Sequence, residues 1–171
     1  MVTIRDATAA DIASIHAIYA HHVLHGLASF EEVPPALEEM RVRFDAVVSA
    51  GKPYIVAEVE GRVAGYGYAS AYRTRSAYRY TLENSIYVAE GMRGNGVGSA
   101  LLGALIERCR GGPWRQMLAV IGDSGNAASI GVHRKAGFRQ VGVLERVGYK
   151  HGRWVDSVVM QLELSPADPD Q

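Results

Sequence analysis

Arg93-Gly94-Asn95-Gly96-Val97-Gly98 follows a short apolar run, Ile86-Tyr87-Val88, and leads into Leu101, Leu102, Leu105 and Ile106 at helical spacing. A strand, a glycine turn and a helix start in that order can bind phosphate. The first N–H groups of a helix have no internal partners, and glycines let a pyrophosphate approach them with no Cβ in the way. Two common phosphate signatures do not fit. G-x-G-x-x-G fails because Ser99 stands where Gly94 and Gly96 would need a third glycine, and Leu101 stands there for Gly96 and Gly98. G-x-x-x-x-G-K-[ST] fails because Val97 and Gly98 follow Gly91 and Gly96. Arg93-x-x-Gly96-x-Gly98 remains, a pattern that would also serve simply to start a helix. Arg73 and Arg75, one residue apart in a segment read as an extended loop, point the same way and suit bidentate capture of carboxylate or phosphinate oxygens. Alone, they equally suit a solvated basic loop. His21 and His25 have the i, i+4 spacing of metal ligands, but no partnered carboxylate or Cys supports them, so no metal is expected.

The periodicity of the chain supplies a scaffold for these groups. Val2 to Ala7 reads as a strand, and Thr8 with Asp11 three residues on opens a helix burying Ile12, Ile15 and Tyr19. Pro34-Pro35 restarts the chain as a second helix, with Leu37, Met40, Phe44, Val47 and Val48 in one apolar stripe that Gly51 ends. Tyr54 to Val59 and Arg62 to Ala71 join through Glu60-Gly61 as a hairpin. Ser85 to Val88 is the next strand, ahead of the glycine turn and its helix. Gln116 to Ile121 is another strand, Asn126 to Ala136 a helix closed by Gly137, and Phe138 to Val143 and Val155 to Leu164 are the last strands. The order β, α, α, β, β, β, α, β, α, β, β predicts a single α/β domain over residues 1–164 with a mixed sheet. Residues 165–171, polar with Pro166 and Pro169, read as a flexible tail.

Composition narrows the partners. At 171 residues, 48% hydrophobic and 21% charged, the chain is a globular domain with its own core. Eighteen Lys plus Arg balance eighteen Asp plus Glu, so no net field recruits nucleic acid, and a charged ligand must be recognised locally. Trp114 and Trp154 have no basic stripe beside them and read as packing aromatics. Cys109, the only cysteine, can form no intrachain disulfide, which fits a reducing compartment. No uncharged run approaches ~18 apolar residues, and Arg5, Asp6 and Asp11 interrupt any signal-peptide pattern. A cytoplasmic location without membrane contact is therefore expected.

Arg93-x-x-Gly96-x-Gly98 resembles the acetyl-CoA pyrophosphate loop of the GNAT superfamily of N-acetyltransferases. In that pattern Arg or Gln is followed by two residues, Gly, one residue, and Gly or Ala. Asn126, His133 and Gly137-Phe138 match a second part of it, where an Asn that contacts the cofactor arm begins a helix and a Tyr near the thioester sulfur comes seven residues later. Here His replaces that Tyr. The spacing sets Asn126 and His133 about two turns apart on one helix face, aimed at the same cleft. The resemblance implies a central mixed, mostly antiparallel twisted sheet flanked by helices.

Longer stretches are similar to the phosphinothricin and methionine sulfoximine acetyltransferase family. They are Ser29-Phe30-Glu31-Glu32, 72–78, Glu83-Asn84-Ser85-Ile86-Tyr87-Val88, 126–130 and 148–154. The resemblance implies acetyl-CoA as co-substrate, held by Ile86, Tyr87, Val88, the Arg93 to Gly98 loop, Asn126 and Ser129. It implies an amino-acid substrate held by Arg73, Thr74, Arg75, Tyr78, Glu83, Asn84 and Ser85, with Phe30 walling the pocket. Glu83 and His133 are implied as the acid–base pair, and a homodimer as the assembly.

The chemistry accommodates these types. Acetyl transfer to an amine needs a deprotonated nitrogen, a donor for the developing oxyanion and a proton for the departing thiolate. Glu83 opens the strand before the cofactor segment and can take the ammonium proton directly or through a water. The oxyanion donor would be the N–H of Tyr87 or Val88. An N-acetyltransferase of phosphinothricin or a related small acidic amino acid is the favoured reading, with direct transfer in a ternary complex. Methionine sulfoximine or another amine as acceptor, or a non-catalytic acyl-CoA-binding module, are its rivals; intact Glu83 and His133 speak against the last.

Overall fold

Thr8 N–H donates to the Asp11 carboxylate at 2.8 Å, closing the capping box that their spacing predicts. The box shapes a 3-10 turn, Ala9–Asp11, that passes into α1 (Ile12–His25). Arg5, on β1 (Val2–Asp6), grips the same carboxylate with two bonds of 2.8 and 2.7 Å, and this pairing holds the Asp11 pKa down to about 2. The structure, a computed structural model, describes residues 1–165. The remaining helices and strands are α2 (Leu37–Ser49), β2 (Tyr54–Val59), β3 (Arg62–Ala71), β4 (Thr81–Val88), α3 (Val97–Arg110), β5 (Gln116–Gly122), α4 (Ala127–Lys135), β6 (Arg139–Lys150) and β7 (Arg153–Glu163).

The strands form one sheet in the order β1-β2-β3-β4-β5-β7-β6, antiparallel at every join except the parallel β4–β5 pair. Its two faces carry two cores. Ile12, Ile15, Tyr19 and Val23 of α1 and Met40 and Phe44 of α2 pack with Tyr54, Val56 and Tyr66. Leu101, Leu102, Leu105 and Ile106 of α3 cover the other face with Ile55, Leu82, Met117 and Met160. Cys109 lies in that second core, and burial pushes its thiol up to about 12.

The expected element order holds, with three corrections. β4 starts at Thr81 and not at Ser85, since Thr81 to Asn84 pair with both β3 and β5. β6 runs on to Lys150, twice as far as the apolar run suggests, because Glu145-Arg146-Val147 bulge out of the ladder and pairing with β7 resumes from Gly148 to Lys150. Leu37 and Val48, expected in the buried stripe of α2, are exposed; Met40 and Phe44 are buried in the core and Val47 packs, partly buried, against it. Trp154 is also no core aromatic: it stands 61% exposed, edge-on to Tyr149. Of the expected tail, 166–171 lie outside the described residues, and the Ser165 hydroxyl accepts from Arg115 at 2.8 Å.

Candidate active site

β4 and β5 pair only from Thr81↔Gln116 to Asn84↔Ala119 and then part. Ser85 to Tyr87 on one side and Val120 to Gly122 on the other line the resulting notch, with Asn126, Ser129 and His133 of the α4 segment beside it. The phase of the β3–β4 ladder decides what β4 offers there. Ala89 N–H donates to Ala64 and Tyr72 N–H to Thr81, so the odd residues Glu83, Ser85 and Tyr87 exchange backbone bonds with β3. Ile86 and Val88 turn theirs into the notch. Of the two expected oxyanion donors, Tyr87 N–H is engaged with β3, and Val88 N–H is the one that faces away from it.

The notch ends at the glycine loop. Gly91, Gly94 and Gly96 adopt φ of +77°, +80° and +79°, a region that L side chains rarely enter. Gly96 caps α3 in this conformation, leaving the N–H groups of the first turn pointing outward, and Cβ atoms built on Gly94 and Gly96 would meet nothing within 4 Å. That open space beside free donors fits an anionic phosphate arm. Arg93 is exposed beside it.

Asn126 caps α4, its Oδ1 accepting from Ser129 N–H at 3.1 Å, which leaves its amide N–H₂ for the cleft. At the other end Gly137 takes φ +97°, Gly137 N–H donates to Arg134 and Phe138 N–H to His133. This C-terminal turn swings the Phe138 ring edge-on against the His133 ring at 5.0 Å. His133 is buried, Nδ1 donating to the Ser129 carbonyl at 2.8 Å and Nε2 3.0 Å from Asn84 Oδ1. Burial pushes its pKa down, partly offset by the Ser129 carbonyl. Neither ring nitrogen is left over for the notch.

Glu83 and Asn84 are neighbours on β4 and therefore face opposite sides of the sheet. Asn84 looks toward α4; Glu83 looks toward the tyrosines of the α1–α2 face, close enough to Tyr68 and Tyr87 for its charge to raise both phenols. Burial alone raises the Glu83 carboxyl, and no side chain bonds to it. A carboxyl raised by burial is a stronger base than a solvated one, which suits it to accepting a proton. The expected acid–base pair is thus split across the sheet: His133 lines the notch and Glu83 faces the tyrosines on the other side.

The expected substrate residues are brought together less tightly. The segment after β3 is no extended loop: it bends into a 3-10 turn, Ser76–Tyr78, as Tyr78 N–H donates to the Arg75 carbonyl. Arg73 lies over the rings of Tyr72 and Tyr78 at 5.1 and 5.9 Å, while Thr74 and Arg75 are exposed. Phe30 stands at the far side, 41% exposed, its ring against Gly122 and Gly148. Asn84, expected at the substrate, has both ends of its amide engaged inside the protein, with Nδ2 donating to the Leu118 carbonyl at 3.1 Å.

His22 was not among the expected site residues. Its Nε2 donates to the Val88 carbonyl at 2.9 Å, tying α1 to the rim of the notch, and burial holds its pKa down. The signal was present, since position 22 continues the buried Ile12, Ile15, Tyr19 stripe. Among the described residues no group of three or more His, Cys, Asp or Glu is placed to hold a metal, and no helix is long and apolar enough to cross a membrane.

Residues 4–159 match the family described as the acetyltransferase (GNAT) domain. The chain is 57% identical over 166 residues to a phosphinothricin N-acetyltransferase of Alcaligenes faecalis, covering 97% of this chain and 84% of that one. It is 44% identical over 165 residues to an L-methionine sulfoximine/L-methionine sulfone acetyltransferase of Pseudomonas paraeruginosa, covering 96% and 95%. A GNAT superfamily phosphinothricin acetyltransferase from Sinorhizobium meliloti, solved with acetyl-CoA, superposes with a TM-score of 0.92 at 48% identity, over 95% of this chain and 88% of that chain.

Proposed function

Since the chain belongs to the acetyltransferase (GNAT) domain family and is an N-acetyltransferase, we propose that it acetylates the α-amino group of phosphinothricin or a related small acidic amino acid, using acetyl-CoA in a ternary complex. The notch carries this reading: the β4–β5 opening, lined by Ser85, Ile86, Tyr87, Asn126 and Ser129, lies on the strand that runs on through Val88 to the free helix-start donors of the glycine loop and that carries the Glu83 carboxyl two residues before Ser85. The Arg93 to Gly98 loop holds the pyrophosphate, and Ile86, Tyr87, Val88, Asn126 and Ser129 line the path of the arm. A thioester lying there supplies the acetyl group. Glu83 removes the proton from the incoming ammonium, the freed amine attacks the thioester carbonyl while Val88 N–H meets its oxygen as it gains charge, and the C–S bond then breaks, CoA leaving as a thiolate that takes its proton from solvent.

Arg73, Thr74, Arg75, Tyr78 and Ser85 bind the acceptor, with Phe30 as a wall. Two guanidinium groups favour an acceptor with a carboxylate and a second acidic group. A free-CoA-release screen of phosphinothricin, methionine sulfoximine, common amino acids, polyamines and an aminoglycoside tests this. Phosphinothricin ranks first, and Arg75→Ala raises its KM more than that of methionine sulfoximine, each lost charge-assisted contact being worth ~1.5 to 3 kcal/mol. A tenfold preference for methionine sulfoximine would instead favour the second reading, which the 44% identical relative supports.

The protein acts as a homodimer in the same reading. Val141, Leu144, Val147, Tyr149 and Trp154 are exposed along β6 and β7, apolar side chains that a second copy would cover. A solution mass of one chain would sink this part.

A further inference from the structure

The buried polar chain at the fork of β4 and β5 has a role of its own. His133 Nδ1 faces the Ser129 carbonyl and Nε2 faces Asn84 Oδ1, and both partners are acceptors. Both bonds form together only when both ring nitrogens carry hydrogen. Asn84 cannot reverse its amide to relieve this, because its Nδ2 donates to the Leu118 carbonyl; turned round, Oδ1 would face that oxygen. The charged ring links Ser129 of α4 to Asn84 of β4, which itself holds Leu118 of β5, at the last residue pairs before the strands part; the neutral ring that burial favours keeps one of its two bonds and leaves the other nitrogen facing an oxygen. Asn84 is 6% and His133 5% exposed, so water does not replace the links.

We propose that Asn84 is a positioning residue and that with His133 it braces the fork, setting the width of the notch that receives the acetyl-CoA arm. The proposal rests on the acetyltransferase reading and changes the part His133 plays in it. An acid for the leaving thiolate needs a ring nitrogen aimed into the notch, and the two nitrogens face Ser129 and Asn84 instead. His133 instead acts through the shape of the opening. Its proton answers to burial, which opposes the charged form, and to the Ser129 carbonyl, which favours it; no ionised side chain of α3, α4, β4 or β5 contributes among the described residues.

The test uses Asn84→Leu, His133→Leu, the double variant, and His133→Gln, whose carboxamide donates toward Asn84 without titrating. Each leucine variant raises the acetyl-CoA KM by about tenfold or more while kcat falls by no more than about threefold. The double variant is no worse than the weaker single one, because one brace is lost either way. His133→Gln brings KM back to within about threefold of the parent protein. Nuclear magnetic resonance of the His133 ring nitrogens adds a readout that needs no cofactor: Asn84→Leu lowers the ring's titration midpoint by about half a unit or more, since an acceptor for the charged form is gone. If Asn84→Leu does not fold, Asn84→Asp replaces it, and the midpoint rises. A fall in kcat of about a hundredfold in both His133 variants at unchanged acetyl-CoA KM would make His133 an acid and overturn the brace, as would an unmoved midpoint. Acetyl-CoA affinity of the parent protein, measured alongside, tests the site reading separately: its absence would sink that reading and leave the ring-nitrogen result standing.

Discussion

The ring of Phe30 occupies the space that a Cβ on Gly148 would need, with Phe30 Cε2 only 2.5 Å from that position. Gly122 is equally confined, since a Cβ there would run into the Leu27 carbonyl and lie 3.1 Å from Phe30 Cε1. The loop between α1 and α2 can rest on β5 and β6 because both strands are bare at these points. Lys150 Nζ donates to the Ser29 carbonyl at 2.7 Å, Tyr19 OH pairs with Ser29 Oγ at 2.9 Å and donates to Glu31 at 2.7 Å, and Arg43 grips Glu31 at 2.7 and 3.2 Å, all holding the loop down.

Gly148→Ala therefore pushes Phe30 off the wall of the acceptor pocket while leaving the glycine loop alone. The acceptor KM rises roughly tenfold or more, as displacement of a positioning group by about 1 Å allows, and acetyl-CoA affinity holds. An unchanged acceptor KM in the folded variant would remove Phe30 from the pocket.

Glu83→Gln keeps the shape of the side chain and loses its basicity, so turnover falls ~10² to 10⁴-fold with acetyl-CoA binding intact. The pH profile carries a second signature. A base must be ionised to act, and burial raises this carboxyl, so kcat/KM drops as pH falls through a value above the ordinary carboxylate ~4.3. The variant lacks that limb. A loss below about threefold, with chemistry rate-limiting, would leave Glu83 a structural carboxylate.

Gly96→Asn separates backbone strain from ligand access at the phosphate loop. Asn tolerates the left-handed conformation better than other side chains, so the variant folds, yet its Cβ fills the open space beside the helix start. Calorimetry should show acetyl-CoA affinity reduced by about tenfold or more. Full affinity would mean that the phosphate binds elsewhere.

Asp11 links pH to stability. Its folded pKa of about 2 lies below the unfolded ~3.9, so the contribution is complete above ~3.9 and is lost as pH falls through 2. About 2 kcal/mol is at stake at most, less what solvent screens at half-exposed Arg5. Urea titrations of the parent protein and Asp11→Asn converge between pH 4 and 2; curves that stay parallel would deny the pairing.

The site was legible where local rules act and obscure where distant strands decide. Thr8 and Asp11, Asn126 and Gly137 place helix ends by bonds within a few residues, and the glycine loop needs its φ values whatever lies around it. The parting of β4 from β5 depends on where β5 ends up, so nothing at Ser85 to Val88 announces it. For the same reason Asn84 read as one more polar residue at a pocket, although its partners Leu118 and His133 lie 34 and 49 positions away. β6 was cut short because its exposed second half pairs by register and not by apolar alternation.

The ladder phase along β4 also writes a pattern into solvent exchange. Ser85 and Tyr87 amide protons are locked against β3, while those of Ile86 and Val88, one residue away in the same strand, open onto the notch. Deuterium should enter the free protein there in alternation, slow at the odd positions and fast at the even ones, as at the outer strand of a sheet. A strand in the middle of seven thus carries an edge within it, and an arm that bonds to Ile86 and Val88 would silence the fast pair while leaving the slow pair as it was.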